Sequence, residues 1–312
     1  MPVIIPKDLV SESVLKQEKI STIRDISAIK QDIRPLKVGI VNLMPDKTTT
    51  EIQLLRLLSN TALQIDIDLI HMGSHKSKNT SYEHLKKFYK TYDEIKNDRY
   101  DALIVTGAPV EKIDYADITY WPELRLILDF AQENIYSTMF LCWGAQAALY
   151  YYYNIESVLT DKKIFGIYDY EKLADDPLLQ GFDDYFYHPQ SRFTYIKKED
   201  VLKHEDLKIL SYREDTGVSL ATSKDHRLVF NFGHWEYDAD TLHKEYLRDL
   251  SKNLDIQKPI NYYKNNEPEE GIRVRWRATG SVFFSNWINL VYQDTPYDLD
   301  KMSRLKYSLK SK

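Results

Sequence analysis

From residue 36 to residue 150 the chain alternates short apolar runs with amphipathic ones, and this alternation restricts the fold more than any other feature. Residues 36–44 read as a buried strand closed by Pro45. Residues 46–50 offer a cap, and residues 51–58 follow as a helix with Ile52, Leu54, Leu55, Leu57 and Leu58 as its apolar positions. Residues 63–70 form the next strand and residues 84–92 the next helix. Residues 101–107 form a third strand that runs into a Gly-Ala-Pro loop, and residues 121–133 a helix. Residues 137–141 form another strand, and the Ala-rich residues 143–150 a helix. Strands separated by helices build βαβ units, and these imply an α/β fold with a parallel sheet covered on both faces. Such sheets place their sites beyond the carboxyl ends of the strands.

Further strands are expected at residues 162–166, 207–210 and 228–232, and a helix at about 238–251. There is no internal repeat, Gly/Ser linker or low-complexity block, so residues 1–312 are read as a single domain. An N-terminal arm is expected over about residues 1–34 and a solvated basic tail over about 301–312. With 43% hydrophobic residues the chain can bury a substantial core, and a net charge of −5 gives no field to attract nucleic acid or an anionic membrane. The N-terminus lacks the basic and apolar regions of a signal peptide. The longest apolar stretch, residues 136–153, is broken by Ser137, Thr138 and Gln146, so no membrane span is expected and the protein is read as cytoplasmic.

Chemistry concentrates at Cys142, the single cysteine, which excludes an internal disulfide and a CxxC metal site. It stands between the strand at 137–141 and the helix at 143–150. A thiol at such a junction projects from a sharp turn, with the free N–H groups and positive end of the new helix beneath it. This is the elbow arrangement of α/β hydrolases with sulfur in place of oxygen. The second signal is His234-Trp235-Glu236, after the strand at 228–232. In an extended segment residues i and i+2 share a face, so Glu236 can hold one imidazole nitrogen of His234 and leave the other as a general base. His71 and His75 flank Gly73 and Ser74 in an expected loop, which does not suit helical metal-ligand geometry; no metal site is expected. Neither a Walker loop nor GxGxxG occurs. The Tyr150 to Tyr153 run reads as packing aromatics rather than a binding box.

The segments Cys142-Trp143-Gly144-Ala145-Gln146-Ala147-Ala148-Leu149, Thr106-Gly107-Ala108-Pro109 and Gly233-His234-Trp235-Glu236-Tyr237 resemble the MetA family of homoserine O-acyltransferases. So do Gln31-Asp32-Ile33-Arg34-Pro35-Leu36, Asn42-Leu43-Met44-Pro45, Gln53-Leu54-Leu55-Arg56-Leu57-Leu58 and Ser285-Asn286-Trp287. The resemblance implies a flavodoxin-like, mostly parallel sheet with helices on both faces, similar to class I glutamine amidotransferases, and a Cys142–His234–Glu236 triad. Cys142 would carry an acyl group taken from acetyl-CoA, with no other cofactor, and His234 would take the proton of the acceptor hydroxyl. The N–H groups of Trp143 and Val110 would form the oxyanion hole, since Pro109 has none. Lys163, Ser191 and Arg248 would bind the acceptor, a guanidinium suiting an amino-acid carboxylate. Glu111 stands where the family separates acetyl from succinyl donors, glycine leaving room for succinate. A homodimer serving methionine synthesis is the corresponding expectation.

The chain departs from the family pattern behind the triad. His188-Pro189-Gln190-Ser191-Arg192 stands where Ala-Pro-His-Ser-Arg is usual, and Trp235 where Pro or Ser is usual. Thr279 and Ser281 replace a usual His and Asn. A bulky Trp235 beside His234 is expected to shorten the acceptor pocket by about one methylene, the difference between L-homoserine and L-serine. L-homoserine is the expected acceptor, with serine O-acetylation (cysteine synthesis) as the alternative. A succinyl donor ranks lower, as does glutamine amidotransfer, for which Phe140 occupies the position usually held by glycine.

Overall fold

A computed structural model describes residues 3–6, 8–18, 22–24, 34–77 and 79–302. Residues 31–33 of the sequence motifs, parts of the expected arm and residues 303–312 of the tail lie outside these. The strands are β1 (Val3–Ile5), β2 (Thr22–Arg24), β3 (Leu36–Val41), β4 (Ile65–Ile70), β5 (Tyr89–Lys90) and β6 (Tyr100–Val105). They continue with β7 (Ile135–Leu141), β8 (Val158–Lys172), β9 (Tyr185–Tyr195), β10 (Leu207–Arg213), β11 (Gly217–Ser223) and β12 (Leu228–Asn231). All join one twelve-stranded sheet of order β2-β1-β4-β3-β6-β7-β12-β11-β10-β8-β9, with β5 also on β4.

From β2 across to β12 every pair is parallel; from β12 to β9 every pair is antiparallel. The parallel strands are Val-, Ile- and Leu-rich and buried on both faces, as helices on both sides require. One face is covered by the helices Lys47–Leu58 and Arg277–Asp294, whose Leu54, Leu58, Phe283 and Trp287 enter one core. The other is covered by Trp121–Asn134 and Trp143–Tyr153, whose Leu124, Ile127, Ala147 and Ala148 enter a second core. Among the described residues no helix is long and apolar enough to cross a membrane.

The register fixes where chemistry can occur. Val41 pairs with Val105, Val105 with Phe140, and Leu141 with Asn231. The carboxyl ends of β3, β6, β7 and β12 therefore form one edge, and the loops after them meet there. The strand order reverses at β3, with β4 on one side and β6 on the other, so a crevice opens at this edge.

Several expectations need correction. The helix expected over 84–92 is Tyr82–Phe88, because Tyr89 and Lys90 leave it to pair with Leu69 and Ile70 as β5. The strand expected over 162–166 is the centre of the far longer β8, held by pairing with β9. β9, β11 and the helix Arg277–Asp294 were not anticipated from the pattern.

Gly144 shows how tightly the edge is built. A Cβ there would lie 2.7 Å from the Thr106 carbonyl oxygen and 2.8 Å from that of Val105, both backbone atoms that cannot turn away. The helix after Cys142 can approach the end of β6 only because this position lacks a side chain. Gly144→Ala is expected to destabilise the protein by about 1–3 kcal/mol, as overpacking does, and to lower activity by displacing the turn. Denaturant unfolding reads the first effect; a variant as stable as the parent would contradict this packing.

Candidate active site

Cys142 follows the last residue of β7 and precedes the helix Trp143–Tyr153, with φ 50° and ψ −116°. A non-glycine residue in this region is strained, and the strain is held by bonds on both sides. The Cys142 N–H donates to the Asn231 carbonyl at 2.7 Å, and its own carbonyl accepts from the N–H groups of Ala145 at 3.0 Å and Gln146 at 3.2 Å. The thiol is thereby aimed away from the strand, over the first turn of the helix. The Trp143 N–H, at the helix start, has no carbonyl behind it within the helix. Gly107 closes the other side: a Cβ there would stand 3.2 Å from Cys142 Cβ and 3.6 Å from the Trp143 nitrogen.

His234 is carried by the turn that leaves β12. Its N–H donates to the Pro189 carbonyl at 2.9 Å, and its Nδ1 shares a hydrogen bond of 2.6 Å with Glu236 Oε1. The ring stacks on Tyr237 with centroids 4.2 Å apart, and Cys142 lies near enough to act on its charge. Burial disfavours a charged imidazole here, but the charge of Cys142 as a thiolate and that of Glu236 outweigh it and raise the His234 pKa well above its ordinary value. Cys142, His234 and Glu236 are all buried. The i, i+2 reading of His234 and Glu236 therefore holds, and the three sequence-identified residues meet. A small cavity lies beside them, lined by His234, Glu236 and Tyr237 and by Met44, Thr106 and Gly107.

The remaining sequence-identified residues divide. Glu111 accepts the Phe193 N–H at 2.9 Å. Burial pushes its pKa up, against that hydrogen bond and the nearby positive charges of Lys163, Arg192 and His234. Lys163 Nζ lies 3.1 Å from Glu245 Oε2 and 3.4 Å from Asp249 Oδ2. Ser191 Oγ donates to the same Glu245 oxygen at 2.5 Å. Arg248 donates from Nε to Asp249 Oδ1 at 2.8 Å, with its side chain half exposed. The Val110 N–H turns back on the Ala108 carbonyl at 2.9 Å across Pro109, a bent bond that it would have to share with an oxyanion.

Trp235 corrects an expectation. Its indole stacks on His188 with centroids 3.9 Å apart and packs against Phe182, Phe186 and Phe283. Its Nε1–H donates to the Tyr187 carbonyl at 2.9 Å. A Cβ on Gly280 would fall 2.7 Å from Trp235 Cβ. The residue fills the core behind His234 and does not line the cavity. The departures at 188, 235 and around 280 thus form one packing unit.

Sequence reasoning missed Glu245, Asp249 and Lys47. Glu245 lies three residues before Arg248 in the helix Thr241–Ser251, a spacing that puts both on adjoining faces and offered a signal. Lys47 Nζ is buried against the carbonyls of Asn42, at 2.5 Å, and Met44, at 3.3 Å. Burial lowers its pKa to about 8, with Glu51 opposing the shift. Among the described residues no group of three or more His, Cys, Asp or Glu is arranged to hold a metal ion.

Known proteins similar to this chain identify its family and its fold. The family model described as homoserine O-succinyltransferase matches residues 2–297. The chain is 50% identical over 301 residues to the homoserine O-acetyltransferase of Clostridium tetani, covering 95% of this chain and 98% of that protein. It is 48% identical over 306 residues to that of Petrotoga mobilis, covering 97% and 99%. Among solved structures, a glutamine amidotransferase of Thermotoga maritima aligns with a TM-score of 0.54 at 13% identity, over 83% of this chain and 99% of that one. One from Methylobacillus flagellatus gives 0.52 at 13%, over 83% and 96%. These structural likenesses concern the fold, which is of the class I glutamine amidotransferase type. The chain belongs to the homoserine O-succinyltransferase family.

After Cys142, Glu236 is the next support for a charged His234. Glu236→Gln removes that negative charge, so burial acts with less opposition and the His234 pKa falls. The pH limb of kcat governed by His234 should move to lower pH, and kcat should drop on the order of 10²-fold or more. A pH–rate profile measures both, and an unmoved limb would detach Glu236 from the histidine.

Proposed function

We propose that this member of the homoserine O-succinyltransferase family transfers an acetyl group from acetyl-CoA to the side-chain hydroxyl of L-homoserine through a Cys142 acyl-enzyme. The observation that carries the reading is the strained Cys142 turn held against the His234–Glu236 pair. The names of relatives at 48–50% identity support the acetyl donor and the homoserine acceptor.

On this route Cys142 Sγ attacks the thioester carbonyl, and charge develops on its oxygen. The Trp143 N–H at the helix start faces that charge, helped by the helix dipole. The carbon–sulfur bond to CoA breaks, and the CoA sulfur leaves with the proton of His234. The acceptor hydroxyl then gives its proton to His234 as it attacks the acyl-enzyme, releasing O-acetyl-L-homoserine and restoring the Cys142 thiolate beside a protonated His234. At the acceptor end the Glu245 carboxylate suits the ammonium group, with Ser191 and Lys163 holding it in place. The half-exposed Arg248 suits the carboxylate. Because the Trp235 indole lies in the core, nothing in its placement shortens the pocket, and this favours homoserine over serine.

The function is tested by offering homoserine and serine with acetyl-CoA and measuring kcat/KM for each. Homoserine is expected to be preferred, and a value for serine tenfold above it would overturn the acceptor assignment. Cys142→Ala should lower kcat on the order of 10³-fold or more. Intact protein quenched with acetyl-CoA should gain one acetyl group, absent from that variant. Near-normal turnover of Cys142→Ala would end the acyl-enzyme reading.

Donor choice follows from Glu111. Beside the acyl pocket its charge would oppose the carboxylate of a succinyl group by roughly 3 kcal/mol at about 5 Å and an effective dielectric near 20, about a hundredfold. Glu111→Gly should therefore raise the succinyl-to-acetyl ratio of kcat/KM by tens to a hundredfold. Burial raises the Glu111 pKa, so the side chain loses its charge earlier than an exposed glutamate as pH falls. The same ratio in the parent protein should rise toward acid pH, and a ratio flat with pH would mean that Glu111 selects by bulk alone.

A further inference from the structure

Asn231 is the last residue of β12, and it touches both halves of the site without reaching any position where substrate would sit. Its carbonyl accepts the Cys142 N–H at 2.7 Å. Its side-chain Oδ1 accepts the Gly233 N–H at 3.0 Å. One residue thus holds the backbone of the nucleophile on one side and the backbone leading to the base on the other. Asn231 is fully buried, so water does not compete for these bonds.

The same turn rests on the His188 imidazole. That imidazole is fully buried and donates or accepts through Nδ1 with Ser219 Oγ at 2.7 Å. Its Nε2 lies against Gly233, where an added Cβ would come within 2.3 Å. Among the described residues the Asn231 Nδ2 and the His188 Nε2 have no hydrogen-bond partner, so packing against Gly233 and Trp235, rather than a bond to Asn231, is what His188 brings to the turn. Burial, with the charges of His234 and Arg192, favours the neutral ring.

β9 completes the grip along three successive residues. The Tyr187 carbonyl accepts Trp235 Nε1–H at 2.9 Å, the His188 ring lies under Gly233 and against Trp235, and the Pro189 carbonyl accepts the His234 N–H at 2.9 Å. The turn from 233 to 235 is therefore held from the Asn231 side and from the β9 side at once.

We propose that Asn231 and His188 form a brace that sets the position of His234 relative to Cys142, Asn231 being the positioning residue common to both. The inference rests on the acyl-transfer reading above, in which His234 and Cys142 are the reacting pair. Neither brace residue touches substrate. Each acts through His234, whose imidazole must reach the sulfur in one step and the acceptor hydroxyl in the next. A shift of about 1 Å in such a group can cost on the order of 10²-fold in rate.

The test uses the full-length protein with acetyl-CoA and homoserine, with Cys142→Ala as the control. Asn231→Ala removes the side-chain acceptor for the Gly233 N–H and keeps the backbone carbonyl that holds Cys142. It should lower kcat at least tenfold while KM for both substrates stays within about twofold. Asn231→Asp restores the acceptor for the Gly233 N–H and should regain most of the lost kcat. A merely structural role would lower the amount of folded protein without this split or this rescue. Native kcat in Asn231→Ala, or equal losses in the alanine and aspartate variants, would overturn the brace. Should Asn231→Ala fail to fold, His188→Leu and His188→Gln read the other end. Glutamine can still hydrogen-bond Ser219 Oγ, as the imidazole does, so kcat should fall in the leucine variant and hold in the glutamine variant; equal kcat values would overturn the proposal. An active Cys142→Ala would instead refute the acyl-enzyme reading, whatever the brace variants do.

Discussion

The parallel pairing of β7 with β12, Leu141 opposite Asn231, is the constraint on which the site depends. Side chains alternate faces with a period of two along a strand, so a slip by one residue would turn every inward group of β12 outward. It would also break the Asn231 carbonyl bond to Cys142 and move His234 one step along the edge. The register is secured by burial: Val229 and Phe230 enter opposite cores, and neither tolerates exposure. The apolar content of a four-residue strand thus sets the spacing between a nucleophile and a base separated by 234 − 142 = 92 positions.

Legibility in the sequence followed the same physics. β3, β6 and β7 are buried on both faces, read as near-continuous apolar runs, and were found with small errors at their ends. β11 (Gly217–Ser223) is just as buried, but its Ser and Thr side chains hide it from any apolar pattern. β9 carries His188, Gln190, Ser191 and Arg192, whose polar groups are answered by Ser219, Glu245, one another and backbone, and it went unseen for that reason. β5 was misread as helix because its pairing with β4 is a tertiary effect. In the site, Cys142, His234 and Glu236 were legible because strand-end position and an i, i+2 spacing are local signals. Glu245 and Asp249 were not, since isolated acidic residues on an amphipathic helix look like a solvated face until Lys163 is brought against them.

The charges around the triad are arranged to oppose one another. His234 is pushed toward its charged form by Cys142 and Glu236, while burial first, then the charge of His234 and that of Arg192, hold His188 well below an ordinary imidazole. Two imidazoles a few ångströms apart cannot both be cations in a dry interior at small cost. The neutral one is therefore free to serve as a hydrogen-bonding fixture, and the charged one retains a proton to move. Arg192, fully buried, directs its donors to Gln190 Oε1 and to the carbonyls of Thr194 and Thr216, and its charge reaches Glu111 through space.

A cysteine on this kind of elbow can pass its acyl group to water as readily as to an alcohol, so transfer demands that water be kept away. All three triad residues are buried, and Gly107 packs closely against Cys142. In such a site a hydroxyl delivered by the binding energy of its own ammonium and carboxylate groups outcompetes a disordered solvent molecule, because its orientation is fixed before it reacts. The amidotransferase-type fold supplies the nucleophile and base. What surrounds them is a buried polar shell: Glu111 accepts the Phe193 N–H, and Glu245 gathers Ser191 and Lys163.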